Sequence, residues 1–302
     1  MAREEVVFRR GLDMPSASFW ILASGFLFTL MSLSSKLCSA ELDPFEILFY
    51  RSLFGAAALA VLLPVRGVSF RTRHPWAHAK RSLMGIACFL LELCALSRLP
   101  LSTAQALDYT SPLFFCFFFV LVELLHRRPV SWPVLGAVLT GFAGVLLVAR
   151  PSAQILSAAG IGFALASALC GAGVSWFLRD LGRCGEPSLR AVFYFMLAGV
   201  LVGGGRMLWM PESVTLPDAS LFWPLIGLMT TGLAAQVFST YAWAHGHPLL
   251  NAVFQFSGIF FGVLLGMLYF HESLDGRSWL GVWLIFAAGL SSFLYLQRAR
   301  PR

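Results

Sequence analysis

This sequence predicts an all-α integral membrane protein: ten transmembrane helices arranged as two inverted five-helix repeats, with both termini cytoplasmic. Three observations carry that expectation. The chain is 58% hydrophobic and only 12% charged, too apolar for a domain whose surface meets water. Apolar stretches long enough to span a hydrocarbon core of roughly 30 Å follow one another along its whole length. The chain also repeats itself. Lys36 with Pro44 corresponds to Arg179 with Pro187, 143 positions on; Ala95-Leu96, Pro100-Leu101 and Ala104 correspond to Trp243-Ala244, Pro248-Leu249 and Ala252, 148 on; Leu135-Gly136 recurs as Leu280-Gly281 after 145. A repeat that crosses a bilayer five times must face the opposite way in its second copy.

The ten stretches fall near 17–36, 45–63, 82–98, 101–122, 132–149, 157–178, 189–208, 220–243, 248–270 and 278–296. They divide the chain into a tail over 1–16, a first repeat over 17–149, a second over 157–296 and a tail over 297–302. The longest interruptions, 64–81 and 209–219, leave no room for a soluble catalytic domain. Orientation follows from the basic residues. With the N-terminus inside, sixteen of the Lys and Arg residues fall on inner segments, five on outer ones, and Arg51 falls within a span. That asymmetry places both termini in the cytoplasm, and it accounts for the net charge of +7 without a nucleic-acid partner.

The first stretch follows three arginines and ends near Cys38-Ser39-Ala40, the outline of a signal peptide. It is longer than a usual signal core, and its removal would leave one repeat incomplete, so it reads as a span. Cys88, Cys94, Cys116 and Cys170 lie inside spans, where a small thiol packs well. No cysteine or histidine spacing suggests a metal or a disulfide frame, and no Walker, HExxH or GxSxG sequence occurs. The expectation is a protein without cofactor that is not an enzyme, residing in a bacterial inner membrane.

Local motifs then narrow the class. Asp43-Pro44-Phe45 precedes Tyr50-Arg51, and Ala95-Leu96-Ser97-Arg98-Leu99-Pro100 leads to Ala104 and Ser111-Pro112-Leu113-Phe114. In the second half, His271-Glu272-Ser273-Leu274 is followed by Trp279-Leu280-Gly281. In this order, within a doubled five-helix unit, the chain resembles the EamA-like branch of the drug/metabolite transporter superfamily over its whole length. The resemblance implies a ten-helix exporter or importer of amino acids, metabolites and related solutes. The second copy departs from the pattern where Tyr194 stands in place of Arg51 and Phe260 in place of Pro112.

Ionisable groups inside a bilayer cost roughly 2.5–3.5 kcal/mol each by insertion scales and call for partners or a function. Arg51, Glu92 and Asp108 each lie six or seven residues from the outer ends of their spans, roughly 10 Å deep at about 1.5 Å per residue. Arg51 is therefore expected to pair with either carboxylate. Gln105, Asp108, Tyr109 and Pro112 share one helix face by their i, i+3, i+4, i+7 spacing. Inversion predicts a neutral counterpart near the inner side, built from Tyr194, Gln236, Asn251 and Gln255. Together these nine groups, Pro112 aside, are the candidate substrate-binding or coupling residues. A purely structural ion pair, or helix-joining hydrogen bonds, remains the alternative for each.

The functional expectation is a secondary transporter that moves a small amphiphilic metabolite, amino acids first, by alternating access, with efflux the preferred direction. Its partners are the bilayer, the solute and, as coupling ion, the proton, with Asp108 as carrier. The competing readings are an intramembrane enzyme using Glu92 and Asp108 as acid and base, and a structural protein without transport activity.

Overall fold

The computed structural model describes residues 15–99, 104, 107–127, 130–149, 157–211, 217–262 and 276–298. Among these, every regular element is helical. Gln105, the motif at 271–274 and most of both tails lie outside the described residues. After a short turn at Pro15–Ser18 come α1 Trp20–Cys38, α2 Pro44–Val65, α3 Pro75–Leu96, α4 Ser111–Leu125, α5 Trp132–Ala149, α6 Ala158–Arg183, α7 Ser188–Trp209, α8 Phe222–His245, α9 Pro248–Gln255 and α10 Gly276–Arg298. Among the described residues, six segments are both long and apolar enough to cross a membrane: Ser16–Cys38, Pro44–Val65, Ala158–Arg183, Ser188–Trp209, Ala219–His245 and Trp279–Leu296. Ser111–Leu125, Trp132–Leu147 and Pro248–Gly262 are shorter apolar helices.

Local chemistry sets the helix ends. Asp43 caps α2 in a full capping box, accepting from the Phe45 amide at 2.8 Å while its own amide donates to Glu46 at 2.8 Å, and Pro44 supplies the first helical φ. Ser157 caps α6 by accepting from the Gly160 amide at 3.2 Å. Just past the ends of α2 and α6 the chain turns into the left-handed region at Gly67 (φ 66°) and Gly185 (φ 72°), where a side chain would be strained.

The helices pair lengthwise: α2 with α7, α3 with α6, α1 with α8, and α5 with α10. Small residues set how closely they approach. A methyl group at Gly203 of α7 would stand 2.7 Å from the Phe45 carbonyl of α2, and one at Gly144 of α5 would stand 2.6 Å from the Gly281 carbonyl of α10. The glycine run 203–205, which from sequence suggests a frayed or bending helix end, instead lies within α7, held by that contact and continuing to Trp209.

The outer surface is apolar. Val65, Leu125, Leu201, Leu208 and Trp283 are exposed, as suits helices whose outer solvent is lipid. The phenylalanine run of α4 divides by helical period: Phe115 and Phe119 turn into the core, where Phe115 packs edge-on against Trp243 at 4.8 Å, while Phe117 and Phe118 face outward.

Candidate functional site

α1, α3, α6 and α8 enclose a cavity of about 200 Å³, to which α2, α7 and the end of α9 each add one side chain and the chain leading into α4 adds Ala104, Asp108, Tyr109 and Ser111. Six of the candidate residues line it: Arg51, Glu92, Asp108, Tyr109, Gln236 and Gln255. Most of the remaining wall is small or hydroxylic, including Ser24, Thr29, Ser167 and Ser239.

Arg51 sits on α2 with only 2% of its surface exposed. Its guanidinium lies 4.6 Å from the centre of the Phe89 ring, and its Nη2 donates to Gln236 Oε1 on α8 at 3.4 Å. Gly232, one turn before Gln236, leaves the room this requires, since a methyl group there would stand 3.1 Å from Arg51 Nε. That Nε has no hydrogen-bond partner. The expected ion pair is absent: among the described residues neither Glu92 nor Asp108 forms one with Arg51. Glu92 lies one turn after Phe89 on α3 and lines the same cavity as Arg51. Asp108 is held from the other side, where the Ser167 hydroxyl lies 3.2 Å from its Oδ1 and 3.0 Å from the Cys88 carbonyl. The cavity thus presents a cation and two carboxylates that do not neutralise one another by contact.

The proposed separation into an outer charged layer and an inner neutral layer does not describe this geometry, because Arg51 and Gln236, one from each set, touch. Two of the inner candidates lie elsewhere. Asn251 is fully buried and donates through Nδ2 to the Ala242 carbonyl at 2.7 Å, joining α9 to α8. Tyr194 donates to the Phe70 carbonyl at 2.9 Å and packs on His78 with ring centres 4.7 Å apart. It belongs to a polar cluster at the end of the molecule where α3 and α7 begin. There Glu186 accepts from Thr72 at 2.7 Å and from Arg190 at 2.8 Å, and lies 3.3 Å from His78 Nε2.

Sequence reasoning missed Arg81, counted there with the inner basic residues. α3 begins at Pro75 rather than near residue 82, so Arg81 lies almost two turns inside the helix and is completely buried. The signal was present. His78, Arg81, Ser82, Gly85 and Phe89 fall on one face at helical spacing, and that face is the buried one.

A model of the EamA-like transporter family matches residues 15–150. The pseudopaline exporter CntI of Pseudomonas aeruginosa is 30% identical over 271 residues, covering 89% of this chain and 92% of the exporter. This chain belongs to the EamA-like transporter family. A riboflavin transporter of Rhizobium johnstonii is 26% identical over 284 residues, 90% of this chain and 89% of that protein. An S-adenosylmethionine uptake transporter of Rickettsia conorii is 24% identical over 208 residues, 66% of this chain and 64% of that one. A solved structure described only as the crystal structure of a protein superposes with a TM-score of 0.75 at 20% identity, covering 95% of this chain and 98% of that one, which bears on the fold alone. The transporter is therefore an integral membrane protein that moves a small molecule and is not an enzyme. Its relatives include both an exporter and an uptake system.

Proposed function

We propose that this protein is a secondary transporter of the bacterial inner membrane that exports small zwitterionic solutes, amino acids and their amphiphilic relatives, by alternating access. The observation that carries this reading is the central cavity, in which the Arg51 guanidinium and the Glu92 and Asp108 carboxylates stand apart. A solute bearing both a carboxylate and an ammonium group complements that arrangement, and each of its charges then replaces lost hydration with a partner. The volume of about 200 Å³ is below the 300–1,000 Å³ typical of sites for drug-sized ligands, which favours a small metabolite.

In this reading the chain crosses the bilayer ten times, as repeats over 17–149 and 157–296 with both termini cytoplasmic. The packing supports the inversion. Exchanging each of α1 to α5 with its counterpart among α6 to α10 turns the α1–α8 contact into α6–α3 and the α4–α6 contact into α9–α1, and returns α2–α7 and α5–α10 to themselves. The cavity walls α1 and α3 exchange in the same way with α6 and α8. A two-fold-related pair of halves meeting at a central site is the arrangement that lets one half rock against the other.

Protons are the proposed coupling ion, with Asp108 as carrier, since it takes its hydrogen bond from a neutral hydroxyl rather than from a cation. The test of the substrate class is a thermal-stabilisation screen of the purified protein. Zwitterionic amino acids are expected to raise the melting temperature by selective binding to the folded state, whereas the corresponding amines and carboxylic acids alone are not. Equal stabilisation by either half-charged analogue contradicts the zwitterion reading.

A further inference from the structure

Arg81 carries a further inference. Its side chain is fully buried, and Nε, Nη1 and Nη2 all lack a hydrogen-bond partner. Its guanidinium carbon lies 3.9 Å from the centre of the Phe195 ring, and that of Arg51 lies 5.7 Å from the same centre. Two cations therefore share one aromatic ring. Phe195 and Gly85 both line the cavity, and a methyl group at Gly85 would stand 2.9 Å from Arg81 Nη1 and 2.8 Å from Phe195 Cε2. The guanidinium thus lies directly behind two residues that line the cavity, Phe195 and Gly85, and is separated from the cavity only by them.

This placement is costly within the protein alone. A buried, unpaired charge loses more in hydration than a desolvated cation–π contact returns. Arg51 adds repulsion. No carboxylate among the described residues pairs with Arg81, and the neighbouring His78 already meets Glu186. A planar fork with free donors, one residue layer from a solute cavity, matches a carboxylate.

We propose that Arg81 is a second anion-binding group of the transport site, so that the preferred cargo carries two carboxylates and an ammonium group: an amino dicarboxylate rather than a monocarboxylate amino acid. Arg51 takes one carboxylate from within the cavity. Arg81 takes the other beside Phe195, and Glu92 with Asp108 faces the ammonium. This rests on the zwitterion reading above and sharpens it.

Neutral isosteres supply the test. Binding of glutamate, glutamine, aspartate and asparagine to the purified full-length protein is followed by thermal stabilisation and by exchange in liposomes. Wild type is expected to bind each acid about tenfold more tightly than its amide, the difference made by one charge-assisted hydrogen-bonded pair. Arg81→Gln is expected to bind acid and amide alike, and Arg81→Lys to keep part of the preference. Amides bound as well as acids by wild type overturn the second anion site while leaving the zwitterion reading intact, and this comparison needs no variant to fold. An acid preference that survives in folded Arg81→Gln also overturns it. Failure of all four to bind or exchange overturns both readings.

Discussion

The Thr72 hydroxyl donates to Glu186 Oε1 at 2.7 Å, tying the loop between α2 and α3 to the turn between α6 and α7. Arg190 strengthens the tie, since its Nε donates to the Ser69 carbonyl at 2.7 Å while its Nη1 holds Glu186. The two segments belong to different halves of the chain. In the proposed topology they meet on the cytoplasmic side, where a transporter open only to the outside needs to be closed.

That latch has a defined pH dependence. Burial alone would push the Glu186 carboxyl up, but the hydrogen bonds from Thr72, Arg190 and His78, with the Arg190 charge, outweigh it and hold the group below its ordinary value. A carboxylate lowered by folding stabilises the folded form above its unfolded pKa of about 4.3, and that contribution is lost as pH falls through the lower folded value. The stability difference between wild type and Glu186→Gln is therefore expected to be largest near neutral pH and to shrink below about pH 4. Melting curves across that range check it, and a difference that grows on acidification contradicts it.

The orientation is open to chemical labelling. Cys184 is exposed in the inner turn, while Cys38 is buried, so Ser39 is the better reporter for the opposite face. With the remaining cysteines replaced, an impermeant thiol reagent added outside intact cells is expected to label Ser39→Cys and to leave Cys184 unlabelled until the membrane is opened. Labelling of both from one side contradicts the inverted five-plus-five arrangement.

Helix approach makes a local prediction. Gly203→Ala places a methyl group 2.7 Å from the Phe45 carbonyl, whereas the space around Gly205 on the same helix is open. The first substitution is expected to destabilise by about 1–3 kcal/mol, as overpacking does. Gly205→Ala is expected to be neutral or to stabilise by up to about 1 kcal/mol through helix propensity. Thermal unfolding of the two variants in one detergent compares them directly.

Much of this was legible in the chain. Most described residues of the apolar stretches are helical, although α3 begins at Pro75 rather than near 82 and α4 at Ser111 rather than near 101. Arg51, Glu92 and Asp108 stood out because a charge within an apolar run has no cheap surroundings. Arg81 did not, because Lys80 and His78 beside it make the start of α3 look like a loop. The Arg51–Gln236 contact spans 185 positions and depends on how α2 crosses α8, which no local pattern encodes. Asn251 and Tyr194 illustrate the converse: polar side chains in apolar helices can be satisfied by a neighbouring carbonyl and stay outside the site.

Arg51 should matter to transport more than to folding. Arg51→Lys keeps the charge but loses the planar fork that reaches Gln236 and lies over Phe89. It is expected to insert at normal abundance and to transport roughly tenfold more slowly or worse, the cost of one charge-assisted hydrogen bond. Wild-type rates from Arg51→Ala at equal abundance contradict this.

The central claim, coupled movement of a zwitterionic solute through the cavity, is tested most directly by flux in liposomes containing the purified protein. Uptake of labelled glutamate and glutamine is measured with and without an imposed pH gradient, in wild type and Asp108→Asn. The account predicts saturable flux above that of protein-free liposomes, accelerated by the gradient in wild type and indifferent to it in Asp108→Asn. Flux that ignores the gradient in wild type contradicts proton coupling through Asp108, and the absence of any flux above protein-free liposomes contradicts the proposed substrate class itself.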